Sequence, residues 1–330
     1  MNSAGLQCRY LADSSSAEME GVLARVVFDS RAIASAAKGY ISTGLSQLDG
    51  EPLCEIFSLP GAVTARDQSE TWSWAKTDEF ILLAIWADES TQGGLQAATE
   101  QSYKQLLDIC REQGYPFLVK AWNYFADINA VDQDLERYRQ FCIGRFDAFV
   151  KAGLDEEQFP SACALGHSGG DLLVYALASK TPVQHIENPQ QQSAYRYPAQ
   201  YGPRSPSFAR ATLLPMGPAT RVFVSGTASV VGHLTAHPDN LELQIQVTLE
   251  NLDYLFRHIA ANYPQQEDTE PAFAAEILKV YVRHKADLDL IKTRISQAYP
   301  SVATVYVAAD ICRSDLLLEI DGVWKLVTQD

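Results

Sequence analysis

The sequence predicts an α+β protein made of two similar sheet-and-helix halves. One order of strands and helices runs twice along the chain. The stretches read as strands are rich in β-branched and aromatic residues, while those between them repeat apolar residues at helical spacing. Text of a different kind separates the two runs. The 330 residues suit two domains of ~150, and 47% hydrophobic with 20% charged residues is the composition of a folded globular chain. A chain of this length can bury a full core without staples.

In the first half, residues 95–110 read as a helix with Leu106 and Leu107 on its 3.6-residue period. Residues 117–129 read as a strand through Val119, Ala121 and the aromatic run to Phe125. A polar–apolar helix over 134–153 follows, and GHSGGDLLVYALAS (166–179) closes the half. The second half repeats the order. A helix over 243–259 carries Leu252, Leu255 and Phe256, and a strand runs through Leu278-Lys-Val-Tyr-Val-Arg283. A short helix over 290–300 and the run 309–327 complete it. Each half is a sheet backed by helices, a duplicated unit.

Residues 185–221 break the pattern, being rich in Pro, Gln, Tyr and Arg with no sustained period. Disordered segments are poor in aromatics, and this one holds Tyr195, Tyr197, Tyr201 and Phe208. The expectation is an ordered segment facing a ligand. The resulting division is 1–184, a connecting segment 185–221, and 222–330. The first ~20 residues, rich in Ser and Ala, are expected to be loosely held.

Net charge is −15 and the sequence pI is about 4.8. Such a surface excludes nucleic acid, which needs clustered Lys and Arg, and an anionic small molecule would need arginines gathered locally. The six cysteines, Cys8, Cys54, Cys110, Cys142, Cys163 and Cys312, have no close pairing. Residues 1–20 do not read as a signal peptide, and no apolar run approaches the ~18 residues of a membrane span. Free thiols in a reducing cytoplasm is the expectation.

Candidate chemistry centres on Glu319, in the middle of the apolar run Ser314–Gly322. Burying a carboxyl raises its pKa and makes it a usable general acid near neutrality; the alternative is a Glu on the wet face of an edge strand. Aligning the two closing runs sets Tyr175 opposite Glu319 and Gly169 opposite Arg313, so one site built on the second half is expected. The strand from Phe223 ends in Ser225, Gly226 and Thr227: Gly226 lets a ligand approach the backbone, and the hydroxyls can hydrogen-bond it. The alternative is a packed strand followed by a turn. Arginines capable of bidentate carboxylate binding are Arg137, Arg139, Arg145, Arg196, Arg204, Arg210, Arg283 and Arg313. Any one of them is as readily a solvated surface charge, though Tyr201 and Arg204 flank a Gly-Pro turn suited to recognition. His233 and His237 lack a third metal ligand nearby. Gly166-His-Ser-Gly-Gly170 fits the nucleophile-elbow pattern around Ser168 but is expected to lack the buried strand before it. No phosphate loop occurs, so neither metal nor cofactor is expected.

The second half, from Phe223-Val-Ser-Gly-Thr-Ala through Val-Tyr-Val-Arg283 to Asp310-Ile-Cys-Arg-Ser-Asp-Leu-Leu-Leu-Glu319, resembles the RidA/YjgF-like (chorismate-mutase-like) fold. Together with Glu-Asn-Pro-Gln-Gln (187–191), Tyr-Pro-Ala-Gln-Tyr-Gly-Pro-Arg204 and Glu-Arg-Tyr-Arg-Gln-Phe-Cys (136–142), the chain resembles the chorismatases from about residue 50 onward. The resemblance implies cofactor-free cleavage of chorismate to pyruvate and a ring acid, with Glu319 protonating the enolpyruvyl methylene. It implies a ring- and carboxylate-binding set of Tyr201, Arg204, Arg137, Tyr138 and Arg283, with Tyr195 from the same segment. The aromatising branches, which make 3-hydroxybenzoate and in some members 4-hydroxybenzoate, resemble this chain in Gly226 and Cys312. An extended chain from Cys312 to Glu319 would span ~23 Å, so the two share a pocket only if it bends near Arg313. The readings left open are a hydrolase giving the dihydroxycyclohexadiene acid and a non-catalytic metabolite-binding protein. Val302–Tyr306 lacks the arginine that RidA imine deaminases carry before their acid strand, which argues against that activity. Oligomeric state stays open.

Overall fold

The computed structural model describes residues 5–13, 21–30, 39–59, 63–216, 219–262 and 272–327. Its first sheet joins β1 (Gln7–Ala12), β2 (Val22–Val27), β3 (Tyr40–Ser42) and β4 (Leu53–Ser58) in the order β1-β4-β2-β3. The loose start expected of the first twenty residues therefore fails for β1, which pairs along its length with β4 and buries Cys8. That pairing spans more than forty residues, and composition does not report it. Residues 1–4 and 14–20 lie outside the described residues.

The duplicated unit then appears twice. Its first copy is β5 (Ala65–Gln68), β6 (Trp72–Lys76), β7 (Phe80–Ala87), α1 (Leu95–Gln113), β8 (Phe117–Ala126), a ribbon β9 (Val131–Asp132) and β10 (Leu135–Glu136), α2 (Arg137–Lys151), β11 (Ser161–His167) and β12 (Leu172–Ser179). Its second copy is β13 (Gln184–Ile186), β14 (Ala211–Met216), β15 (Ala219–Thr227), a ribbon β16 (Val230–Val231) and β17 (Leu234–Thr235), α3 (Leu241–Asn262), β18 (Ala272–Val282), α4 (Leu288–Ala298), β19 (Ala303–Ala308), β20 (Asp310–Ile311) and β21 (Leu318–Val327). The sheet of the first copy contains the order β11-β8-β12-β7-β6 and that of the second β19-β18-β21-β15-β14. Parallel and antiparallel pairings match strand for strand. One strand crosses between the halves, since β20 pairs with β11 of the first copy's sheet.

The central strands of the two large sheets are buried on both faces. The first lays Ala121 and Phe125 against Leu106 of α1 and Phe141 of α2. Gly144 permits that closeness: a Cβ there would stand 2.3 Å from the Gln96 carbonyl oxygen. The second sheet lays Leu278 and Val280 against Leu252 and Leu255 of α3 and Ile291 of α4. The inner faces meet in one core holding Trp122, Tyr124, Tyr175, Phe223 and Tyr281, capped by the N-terminal sheet through Phe57. Burial on both faces explains why these strands read as continuous apolar runs rather than alternating ones.

Two expectations need correction. The segment 185–221 is not irregular throughout: it contains β13, two single helical turns (Ala194–Arg196 and Ala199–Tyr201), β14 and the start of β15. The boundary at 222 falls inside β15, because Leu213 and Leu214 are both buried and leave no alternation to read. The last strand begins at Leu318 rather than Ser314, and residues 312–315 form a bend and turn. This is the bend that lets Cys312 and Glu319 line the same cavity.

Candidate active site

β21 lies between β15 and β18, and Glu319 sits on it opposite Tyr281. Its side chain faces the seam between the sheets and is 4% exposed. Burial, reinforced by the neighbouring Asp321 charge, pushes the Glu319 carboxyl up to about 8 against the opposing pull of Lys120 and Arg210. The seam explains why those cations do not ionise it. Lys120 lies 3.3 Å from Asp321, and Lys279 lies 2.7 Å from Glu55. Burial disfavours charge at Asp321, yet Lys120, Lys279 and the hydrogen bond from the Tyr281 hydroxyl hold its carboxyl below the ordinary range. Two ammonium groups thus face two carboxylates. Asp321 engages Lys120 and its own charge opposes ionisation of Glu319, so burial outweighs the pull of Lys120 and Arg210 and the proton stays.

The neighbouring strand makes room for the acid. Between Val224 and Thr227 the β15–β21 register slips, and Gly226 falls in that irregularity. A Cβ on Gly226 would stand 1.8 Å from Glu319 Oε1. No other residue fits without moving the carboxyl, and such bulges recur beside active sites because they re-aim side chains.

Glu319 and Gly226 form the floor of a cavity of about 500 Å³. Its walls come from the 197–210 segment (Tyr197, Tyr201, Phe208, Arg210), the start of α2 (Tyr138, Arg139) and the 312–316 turn with Cys312 and Arg313. Arg313 lies 4.4 Å over the Tyr201 ring and 5.4 Å over Tyr197. Arg210 is buried and donates to the Tyr197 hydroxyl and the Gln192 carbonyl, each at 2.8 Å. Burial pushes the Cys312 thiol up to about 12, so it is a neutral wall group rather than a nucleophile.

Of the catalytic and binding set expected from the sequence and the resemblance, Tyr138, Tyr201, Gly226, Cys312 and Glu319 line this cavity. The others do not. Arg204 is exposed and stacks 4.6 Å over Phe146. Arg137 grips Glu89 with both terminal nitrogens, at 3.0 and 2.6 Å, and donates its Nε to the Ala126 carbonyl. Ser225 receives the Ala162 amide and donates to the Ala209 carbonyl, while the Thr227 hydroxyl donates to the Ser225 carbonyl. Arg283 braces the turn behind the cavity through the carbonyls of Ile311, Arg313 and Leu316. Tyr195 lines a separate cavity of about 630 Å³ beside Glu187. Burial lifts Glu187 to about 7, but the one arginine lining that cavity, Arg111, is an exposed partner of Asp108. Of these two cavities, the Glu319 cavity is the one lined by an acid together with three arginines, Arg139, Arg210 and Arg313.

Missing from the expected binding set were Arg210, Arg313, Arg139 and Tyr197. All four belong to stretches the sequence had marked, but nothing local separates Arg210, which turns inward, from Arg204, which turns outward. The Ser168 segment also differs from expectation. A buried strand, β11, does precede it, but the turn leads into strand β12 rather than a helix, so the elbow geometry is absent. Tyr201 contacts His233 Nδ1 at 3.1 Å. Among the described residues, no helix is long and apolar enough to cross a membrane.

Residues 55–178 match the FkbO/Hyg5-like chorismatase N-terminal family. The chain is 37% identical to a 3-hydroxybenzoate synthase of Streptomyces hygroscopicus, over 83% of this chain and 82% of that protein. It is 35% identical to a chorismatase of Streptomyces rapamycinicus, over 85% and 89% of the two chains. A crystal structure of a chorismatase superposes with a TM-score of 0.86 at 29% identity, covering 97% of this chain and 98% of that one. The duplicated α+β architecture read from the sequence is the architecture observed. The cavity, the acid at its floor and these relatives agree: the chain belongs to the chorismatase family.

Proposed function

We propose that this protein cleaves chorismate to pyruvate and 3-hydroxybenzoate, with 4-hydroxybenzoate as a second product, without a cofactor. The observation that carries the reading is a carboxyl holding its proton near neutrality at the floor of an arginine-walled cavity. Glu319 gives that proton to the enolpyruvyl methylene carbon, and the vinyl π pair forms the new C–H bond. Positive charge develops on the adjoining carbon and is shared by the ether oxygen. The ring's own hydroxyl adds there and loses its proton, closing a cyclic ketal. The C–O bond at the hydroxyl-bearing ring carbon then breaks as the hydrogen on the neighbouring ether-bearing carbon leaves as a proton, and the ring becomes aromatic. The hemiketal that remains collapses to pyruvate and the 3-phenolate, which takes one of the two released protons while the other restores Glu319. Breaking the original ether bond instead gives 4-hydroxybenzoate. Substrate and products then balance without water, whereas the diene-diol route consumes one. Room at Gly226 and the neutral thiol of Cys312 support the aromatising route. The arginines of the cavity answer the two carboxylates of chorismate.

In this reading the unit from β5 to β12 is the degenerate half, the unit from β13 to β21 carries the acid, and the segment between β13 and β14 walls the site. Its six cysteines are all unpaired, which suits a reducing cytoplasm. The test is to incubate purified protein with chorismate and no added metal or cofactor. Pyruvate is followed with lactate dehydrogenase and the ring products by chromatography. Pyruvate with hydroxybenzoate is expected. Pyruvate with a diene diol would overturn the aromatising route, and no pyruvate would leave a metabolite-binding protein.

A further inference from the structure

The turn that brings Cys312 and Arg313 to the cavity is anchored in both copies of the unit. Upstream of it, β20 crosses to β11, with Ile311 opposite Leu165 and Asp310 opposite Gly166. Gly166, which opens the Gly166-His-Ser-Gly-Gly170 run, lets that strand approach. A Cβ there would stand 2.9 Å from the Asp310 Cβ and 2.5 Å from Ile128 Cγ2. Downstream, β21 returns to the second sheet between β15 and β18.

Arg283, the residue after the last of β18, fills the inside of the bend. Its Nε donates to the Leu316 carbonyl at 2.7 Å, and one terminal nitrogen donates to the carbonyls of Ile311 and Arg313 at 3.0 and 2.9 Å. Those two carbonyls bracket Cys312, so the guanidinium fixes the peptide on either side of the thiol. The same nitrogen reaches Asn129 Oδ1 at 3.2 Å, and the other holds the Asp310 carboxylate at 2.6 Å. Asn129 belongs to the first copy, between β8 and β9, and its amide donates to the Ile311 carbonyl at 3.1 Å. Gln244 of α3 holds the far end of the turn, through the Asp315 carbonyl and the Leu317 amide. The backbone around Cys312 is left to Arg283 and Asn129. The residues lining the catalytic cavity do not include these two.

We propose that Arg283, steadied by Asn129, is a positioning residue that holds the Cys312 thiol beside the acid and so keeps water from replacing the ring hydroxyl as the attacking group. The proposal rests on the aromatising reading above. In that reading the carbon that gains positive charge is taken either by the ring hydroxyl or by a water, and the second route consumes that water and gives the diene diol. Cys312, Gly226 and Glu319 line one recess of the cavity floor. A thiol held there is a neutral wall against the acid, and letting it swing back opens that place to solvent. A planar fork reaching carbonyls on both sides of one residue sets its position more tightly than a single charge can.

Peptide-resolved labelling with N-ethylmaleimide, joined to product analysis, tests this. In Arg283→Met, Cys312 is expected to react ~10-fold faster than in the wild type while Cys110, Cys142 and Cys163 keep their rates, the effect of losing charge-assisted hydrogen bonds from one local segment. The share of diene diol among the ring products is expected to rise ~10-fold with it. Arg283→Lys keeps a charge facing Asp310 but cannot span both carbonyls, and should behave like the Met variant. Asn129→Ala removes only the first copy's hold and is expected to raise Cys312 labelling ~3-fold. It carries the test if both Arg283 variants fail to unfold cooperatively. Faster labelling of all the cysteines together, with product composition unchanged, would make Arg283 a general brace. A higher KM with labelling and products unchanged would make it a substrate ligand. Either result overturns the proposal, as does a failure of Cys312 labelling or of the product ratio to move. Wild-type turnover, run in parallel, separates this from the function itself. A wild type giving only diene diol, or no pyruvate, sinks the aromatising route, and Cys312 labelling then still decides whether Arg283 holds the turn.

Discussion

β12 and β21 hold the same place in their two sheets, each between the middle strand of the unit and the strand that leads into its first helix. At one matched position β12 carries Tyr175 and β21 carries Glu319. Tyr175 is fully buried and stacked on Trp122 with centroids 4.6 Å apart, and its hydroxyl accepts from Lys279 at 3.3 Å. It pairs in regular register with Ala84 of β7. Glu319 faces a slipped register and a glycine, with a cavity in front of it. The same scaffold was filled in one half and hollowed in the other, and two local changes made the difference: the bulge with Gly226, and an acid in place of an aromatic ring. The tyrosine side stabilises the seam. The glutamate side costs stability and holds a proton.

Removing the acid should produce the largest effect. Glu319→Gln is expected to fold and to lose ~10³-fold or more in kcat, as a general acid's removal does, measured by the coupled pyruvate assay. The wild type should hold its kcat/KM below pH 8 and lose it above, since the carboxyl titrates near 8. Stability should follow the same group. Its ordinary value is 4.5 and its folded value about 8, so between them the folded chain keeps a proton the unfolded chain has released. Wild-type stability therefore falls as pH rises through that window, and Glu319→Gln should lack that part of the slope in thermal unfolding.

Gly226→Ala should come next. Its Cβ must displace the Glu319 carboxyl, and a shift of that size is expected to cost ~10²-fold in kcat. Any remaining product should move toward the diene diol; unchanged turnover would show that the bulge is not what makes room for the acid. Asp321→Asn sharpens the electrostatic side of the comparison. It leaves Lys120 and Lys279 facing Glu55 alone, and the surplus positive charge is expected to draw the upper limb of the pH profile down by ~1 unit. An unmoved limb would detach the seam charges from the acid. The smallest effect belongs to the filled half. Tyr175→Phe removes a hydroxyl from the seam, and is expected to keep kcat within ~3-fold while costing ~1 kcal/mol of stability. A large loss of turnover there would mean that the two halves do not divide their labour as described.

Much of this was legible in the chain. The repeated order of helices and strands, the acid in the final apolar run and the glycine in Phe223–Ser229 all depend on local pattern, and Tyr138, Tyr201 and Cys312 came with the family resemblance. The arginines were harder. Arg204, Arg137 and Arg283 were expected at the ligand, and the structure gives them a Phe146 ring, a Glu89 carboxylate and a set of turn carbonyls instead. Arg210, which lines the cavity, looks no different in sequence from those three. The N-terminal sheet was missed because β1 acquires its order from β4 rather than from its own residues.

The sequence by itself determined the duplicated α+β unit, the place of the acid on its last strand and the asymmetry between Tyr175 and Glu319, because periodicity and alignment are properties of neighbours along the chain. Only the tertiary structure decided that Glu319 keeps its proton and that Gly226 stands against it. The first depends on burial and on Lys120, Arg210 and Asp321 being brought to Glu319 from separate elements. Charge balance in a buried seam is a sum over groups far apart in sequence, and no local pattern contains it.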